Sequence, residues 1–128
     1  MRFAVAIVLA LHGFAHLVGF VVTWRIATLE EMPYKTTLLA GRVDVRDRGI
    51  RGIGILWLVA AVGFFVAGVA VILLLPWWIP FTFCVAVFSL VLCVLGWPDS
   101  KIGVFVNVGI FAYLLVAGVL GWLPGVAS

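Results

Sequence analysis

The sequence has very few charged residues. Only 10% of its 128 residues are Asp, Glu, Lys or Arg, whereas 66% are hydrophobic, and the mean hydropathy is +1.36. Soluble domains have roughly 25% charged and 45–50% apolar residues. Because so few charges cannot cover the surface of a soluble domain of this size, the composition predicts a chain that lies within a lipid bilayer.

Cysteine is also scarce. The chain has Cys84 and Cys93 and no others. On one helix these positions are separated by about 13 Å along the axis and point to opposite faces. The spacing therefore excludes a disulfide between them within one chain, and the sequence has no Cys-x-x-Cys redox motif.

Long apolar segments account for most of the chain. A membrane-spanning helix needs about 20 mostly apolar residues. Four segments meet this requirement, so the sequence predicts an all-α integral membrane four-helix bundle, with residues 1–128 as one transmembrane domain. The predicted spans are residues 3–24, 52–75, 79–96 and 102–122, with a loop over 25–51. A cleaved signal peptide is the weaker interpretation of the first segment, because no small-residue cleavage site interrupts it.

The basic residues are concentrated on one side of these spans. Seven of the eight Lys and Arg residues lie in the first loop or in the turn before the fourth span, and the eighth is Arg2. Loops rich in Lys and Arg stay in the cytoplasm during insertion. We therefore expect a cytoplasmic loop over 25–51 and both termini outside, in a plasma membrane of bacterial type.

The first loop also carries acidic residues. Its basic side chains are interspersed with Glu30, Glu31, Asp44 and Asp47, which is not the uniform basic patch that nucleic acid requires. No nucleic-acid partner is predicted, and the basic side chains suit lipid headgroups instead. A capping signal at residues 28–31 and the apolar residues 38–40 predict short interfacial helices within this loop.

Two histidines interrupt the first span. His12 and His16 lie one helical turn apart near its middle, so they share one face. An ionisable side chain at this depth usually faces the bundle interior and has a partner there. Ala15 and Gly19 form a small-x-x-x-small pair on the same side, which lets a neighbouring helix approach closely. We therefore expect this face to point inward.

Residues on other spans lie deep enough to meet these histidines. At ~1.5 Å per residue, His16 and Ser89 are about 12 Å from the loop-side boundary, and Asn107 and Cys93 about 8 Å. An unpaired amide in hydrocarbon is costly, so Asn107 is expected to bond to His16, Ser89 or backbone. The predicted ligand-binding residues are His12, His16, Ser89 and Asn107. Their alternative role is hydrogen bonding between helices with no ligand.

Metal and heme cofactors suit this arrangement less well. Bis-histidine heme needs imidazoles on opposite sides of the iron, which two residues on one helix face do not offer without a second chain. A metal site would have to combine His12 and His16 with Cys93 or Ser89, and soft Cu(I) is then the least unsuitable ion. The sequence has no catalytic triad and no phosphate-binding glycine loop, so an enzyme is not indicated.

The first helix carries the one recognisable pattern. Arg2 is followed by the segment His12-Gly13-Phe14-Ala15-His16-Leu17-Val18-Gly19-Phe20, which resembles the first helix of the DoxX-like membrane proteins. In that family an early Arg precedes an H-G-x-x-K-like segment, and here His16 stands where the Lys commonly lies. The resemblance implies a small four-helix subunit linked to quinone-coupled oxidoreductase complexes, often without a complete active site of its own.

Two functions of different classes follow. In the first, the protein is an accessory subunit that holds a quinone or another apolar ligand against its histidine face. In the second, it is a packing or interaction protein without a ligand, in which the inward histidines and Asn107 only join helices. Either role is compatible with a homo-oligomer or with a partner in a membrane complex.

Overall fold

Four long helices make up most of the protein. The computed structural model describes residues 1–126, with helices α1 (Arg2–Thr23), α2 (Arg46–Ile72), α3 (Trp78–Leu95) and α4 (Lys101–Leu120). Each is long and apolar enough to cross a membrane. The predicted all-α membrane bundle is confirmed.

The helices do not begin and end at the same residues as the predicted apolar spans. α2 begins at Arg46, six residues before the apolar segment that starts at residue 52. Just before this helix, the Asp44 side chain accepts a hydrogen bond from the backbone N–H of Arg46 at 2.9 Å, and this bond lowers the pKa of Asp44. Hydropathy identifies the part of a helix that lies in hydrocarbon, and it does not detect a charged first turn that lies outside it.

The long loop contains a β-hairpin and no helix. Strands β1 (Thr37–Leu38) and β2 (Val43–Asp44) pair antiparallel, so the predicted interfacial helices were wrong. At the turn, the N–H groups of Leu39 and Ala40 donate to the carbonyls of Leu95 and Trp97 at 2.8 and 3.0 Å. The last carbonyls of a helix need such partners. The apolar turn therefore caps the end of α3 rather than forming a helix of its own.

The helices alternate in direction, which gives the bundle two distinct ends. We call the end with residues 24–45 and 96–100 the loop end, and the end with both termini and residues 73–77 the terminal end. The α1–α2 pair has the most extensive contact, α3 packs on both α2 and α4, and α1 and α4 touch at few positions. The side of the bundle between α1 and α4, here called the α1–α4 seam, is therefore its most open side.

Glycines on α1 allow the close approach of α2. A Cβ built on Gly13 would lie 3.1 Å from the carbonyl oxygen of Ala61, and one on Gly19 would lie 2.7 Å from Cδ2 of Trp57. Ala15, which the sequence placed on this face with Gly19, is exposed instead. That part of the prediction was wrong, because position 15 turns away from α2 toward the α1–α4 seam.

This packing makes Gly19 sensitive to substitution. We expect Gly19→Ala to lower the free energy of unfolding in mixed detergent by about 1–3 kcal/mol, because the added methyl group overlaps the Trp57 ring. The control is Gly52→Ala on α2, where a Cβ meets nothing within 4 Å. There the same change should be neutral or should stabilise the helix by about 0.5–1 kcal/mol. Equal effects at the two positions would contradict the packing.

Candidate functional site

The four predicted ligand-binding side chains lie together inside the bundle. His12 and His16 on α1 are 5% and 1% exposed, and Ser89 on α3 and Asn107 on α4 are fully buried. The expected inward face of the histidines is confirmed. We call these four residues the polar cluster.

The bonds of His16 define which of its nitrogens carries hydrogen. Its Nδ1 lies 2.8 Å from the backbone carbonyl oxygen of His12, one turn earlier. Because a carbonyl oxygen only accepts, Nδ1 must be the N–H donor. The neutral ring then has an acceptor at Nε2, and the hydroxyl of Ser89 donates to it at 2.6 Å.

Asn107 closes this network. Its amide nitrogen donates to the oxygen of Ser89 at 2.8 Å, and its amide oxygen accepts from Nε2 of His12 at 3.3 Å. Nε2 of His12 also lies 3.5 Å from the Ser89 oxygen. The hydrogen bonds therefore form a closed ring that joins α1, α3 and α4, with one N–H on each imidazole.

Helix α2 supplies an aromatic wall behind the imidazoles. The His16 ring lies 5.0 Å from the Trp57 ring and 5.2 Å from the Phe64 ring, centroid to centroid, and His12 lies 4.7 Å from Phe64. Trp57 and Phe64 are two helical turns apart, so they share one face of α2. This wall shields the polar cluster from the opposite side of the bundle and strengthens its hydrogen bonds by excluding water.

The structure does not assemble a metal centre from the candidate ligands. The Sγ of Cys93 lies 3.8 Å from the Asn107 amide nitrogen and 4.0 Å from the Ser89 oxygen, while both ring nitrogens of His16 are used in hydrogen bonds. Over residues 1–126, no three His, Cys, Asp or Glu side chains are grouped to hold an ion. Cys84 is exposed and Cys93 buried, as their opposite helix faces predict.

A pocket of about 410 Å³ borders the polar cluster. It lies in the half of the α1–α4 seam nearer the loop end, and we call it the histidine pocket. Both histidines line it, together with Ala15, Trp57 and Cys93. The remaining lining residues are apolar apart from Asp99 and Ser100 at the loop end: Val8, Leu11, Met32, Ile102, Gly103 and Val106.

The absence of a side chain at Gly103 keeps α4 close to the cluster. A Cβ at this position would lie 2.5 Å from the Sγ of Cys93 and 3.8 Å from Cε1 of His12. Cε1 lies between the two ring nitrogens, so the edge of the His12 imidazole that carries both nitrogens faces α4. Any larger residue at position 103 would therefore displace the Cys93 side chain or separate α4 from α3.

Sequence reasoning missed Trp57, Phe64 and Gly103. The two aromatic residues belong to an apolar span with no polar neighbour to single them out, and Gly103 is one of 14 glycines. The pair Ala15 and Gly19 predicted that a neighbouring helix approaches α1 closely, but it did not indicate which helix or which side chains. Tyr113 lies outside the histidine pocket.

Comparison of the chain with models of known protein families, with curated proteins and with solved structures finds no match. The DoxX-like resemblance therefore stays a prediction that rests on the residues of α1. The function of the polar cluster is therefore inferred from its geometry and from the residues around it.

The coupling between Ser89 and Asn107 is measurable with a double-mutant cycle. We expect Ser89→Ala and Asn107→Leu to show an interaction free energy of about 0.6–1.7 kcal/mol, the range for hydrogen bonds between membrane helices. The measurement is the free energy of unfolding in mixed detergent for both single variants and the double variant.

A matched cycle pairs Asn107→Leu with Cys84→Ala, since Cys84 is exposed on the same helix as Ser89. That pair should be additive within about 0.5 kcal/mol. If both cycles give the same small coupling, the ring of hydrogen bonds does not join α3 to α4.

Proposed function

We propose that this membrane protein is an accessory subunit that binds a quinone-like ligand in the histidine pocket. The observation that carries the proposal is the position of His12 and His16, the two members of the polar cluster that line a pocket whose other lining is apolar except for Asp99 and Ser100 at the loop end. Ligand sites commonly combine an apolar lining with a few convergent polar groups. A quinone ring needs both features.

The size and opening of the pocket suit such a ligand. Its volume of about 410 Å³ falls within the roughly 300–1,000 Å³ of small-molecule sites. It lies at the α1–α4 seam, where the two helices touch at few positions. A ligand dissolved in the bilayer can therefore enter sideways between these helices.

The hydrogen-bonding pattern favours one redox form of the ligand. His12 uses Nε2 for its bonds to Asn107 and Ser89, so Nδ1 is the unprotonated nitrogen of that ring. An unprotonated nitrogen accepts a hydrogen bond from the hydroxyl of a quinol without any change in the cluster. A quinone carbonyl can only accept a hydrogen bond. The N–H of His12 is at Nε2, and it already donates to the amide oxygen of Asn107. We therefore expect the quinol to bind more tightly than the quinone.

A packing role is the second candidate, and one observation favours it. His16, Ser89 and Asn107 satisfy one another without any ligand. Buried polar groups with complete partners stabilise and specify a structure by themselves. In this case the pocket would be a gap left by the loose α1–α4 seam.

The orientation and assembly of the protein complete the proposal. Seven of the eight basic residues lie at the loop end, which supports a cytoplasmic loop and external termini in a bacterial-type plasma membrane. The first helix supports membership of the DoxX-like proteins. A broad apolar face of α4 is exposed, including Phe105, Leu115 and Val119, and it gives a partner subunit or a second copy a surface to contact.

Native mass spectrometry with a short-chain quinone and its quinol tests the binding. We expect the purified protein to take up one quinol per chain, and Ala15→Leu to weaken uptake by at least about tenfold, because the larger side chain fills the pocket and leaves every hydrogen bond in place. The control is Ala112→Leu on α4, an exposed position outside the histidine pocket, and this variant should bind as the wild type does.

The two candidate functions predict different outcomes for this uptake experiment. Saturable uptake that Ala15→Leu abolishes supports the ligand-binding subunit. If the wild type takes up no more quinol than empty detergent micelles, or if Ala15→Leu and Ala112→Leu bind equally, the binding proposal fails and the packing role remains.

A further inference from the structure

A second pocket of about 440 Å³ lies in the other half of the α1–α4 seam, nearer the terminal end. We call it the terminal pocket. It contains no charged side chain, and Val8 and Val106 are the two residues that it shares with the histidine pocket. Thr82 and Tyr113 contribute its hydroxyl groups, and the rest of its lining is apolar: Met1, Ala4, Val5, Val8, Leu9, Trp78, Val106, Gly109, Ile110 and Leu114.

These two hydroxyl groups have no hydrogen-bond partner. Among residues 1–126, they are the buried side-chain polar atoms left unpaired, and Thr82 is only 1% exposed. A threonine inside a helix usually donates to the carbonyl one turn earlier, as Thr23 does to Gly19 at 2.8 Å. Thr82 makes no such bond. Two unpaired hydroxyls in one apolar pocket are costly, so they point to a ligand that completes them.

The missing partner has a defined chemistry. A hydroxyl of Thr or Tyr can donate one hydrogen and can also accept, and a buried donor without a partner is rarer in proteins than an acceptor with a free lone pair. The ligand should therefore offer an acceptor oxygen, and the apolar walls require that this oxygen be attached to hydrocarbon. The lining has no charged side chain, and its one charge, the α-ammonium group of Met1, belongs to a residue that is 69% exposed. The interior of the pocket therefore disfavours a phosphate or another charged headgroup. A neutral carbonyl on a long chain satisfies both conditions.

The depth of the pocket indicates where such a carbonyl comes from. Thr82 is the fifth residue of α3, about 6 Å along the axis from the start of that helix. The polar interface of a bilayer adjoins the helix ends, and acyl ester groups of glycerolipids lie between the headgroups and the chains. We propose that the terminal pocket binds one acyl chain of a membrane glycerolipid through its ester carbonyl, with Thr82 and Tyr113 as the hydrogen-bond donors.

This lipid site is separate from the quinone-like ligand of the histidine pocket. The lipid proposal rests on Thr82 and Tyr113, which take no part in the polar cluster. Ala15 lines the histidine pocket and not the terminal pocket, and Gly109 lines the terminal pocket and not the histidine pocket, so a substitution at either position is aimed at one of them. Failure of one proposal therefore leaves the other standing.

A competition between two lipids tests the role of the carbonyl. The purified protein is mixed with a diester phosphatidylglycerol and its diether analogue, which has the same headgroup and chains but no carbonyl, and the retained lipid is measured by native mass spectrometry. We expect the wild type to retain the diester about three- to tenfold better, since two hydrogen bonds are at stake. Thr82→Val combined with Tyr113→Phe keeps the side-chain shapes and should remove the preference.

A variant that fills the pocket tests its location. A Cβ on Gly109 meets nothing within 4 Å, so Gly109→Leu is accommodated by occupying the pocket and should reduce lipid retention at least fivefold. Ala15→Leu, which fills the histidine pocket, should leave lipid retention unchanged.

Four results would overturn the proposal. The first is equal retention of diester and diether by the wild type. The second is a diester preference that survives in the double variant. The third is unchanged lipid retention in Gly109→Leu. The fourth is displacement of the retained lipid by the short-chain quinol, which would assign the terminal pocket to a quinone-like ligand instead.

Discussion

A polar group inside a bilayer has no water to bond to, and this constraint organises the whole bundle. The chain places two imidazoles, a hydroxyl and an amide in the middle of three different helices. Each can be satisfied only if α1, α3 and α4 bring them to one point in one register. The ring of bonds through His16, Ser89, Asn107 and His12 meets that requirement. Apolar packing alone would leave the rotation of these helices poorly specified, because lipid is as apolar as their side chains.

The contacts between the helices are uneven, and the open side follows from this unevenness. Gly13 and Gly19 let α1 lie against Ala61 and Trp57 of α2, so α1 is held tightly on that side. On its other side α1 meets α4 at few positions, and the pocket that reaches the polar cluster opens there. The same residues that fix α1 against α2 therefore leave its opposite edge accessible to molecules in the bilayer.

Much of this architecture is predictable from composition and depth. Hydropathy locates the four spans, because a hydrocarbon core of about 30 Å sets their length. Helical geometry places His12 and His16 on one face, and counting depth from the loop end brings Ser89 level with His16 and Asn107 within about 4 Å of that level. These inferences succeed because each depends on a single helix and on its distance from the membrane boundary.

Features that depend on the rotation of two helices are not predictable in this way. Ala15 was expected to share the packed face with Gly19, but it lies toward the seam, whereas Gly19 lies against the Trp57 ring. The apolar residues of the first loop form a hairpin turn, because the end of α3 offers carbonyls that Leu39 and Ala40 satisfy. The unpaired state of Thr82 also has no signal in the sequence, since a helical threonine normally bonds to its own backbone.

The most direct test of this account is the position of hydrogen on the two imidazoles. Nitrogen-15 chemical shifts of selectively labelled histidine, measured in lipid bilayers, distinguish the two neutral tautomers and the charged ring. The ring of hydrogen bonds predicts two neutral imidazoles, with the hydrogen on Nδ1 in His16 and on Nε2 in His12. A charged imidazole, or hydrogen on Nε2 of His16, would contradict the network on which the bundle and its pocket depend.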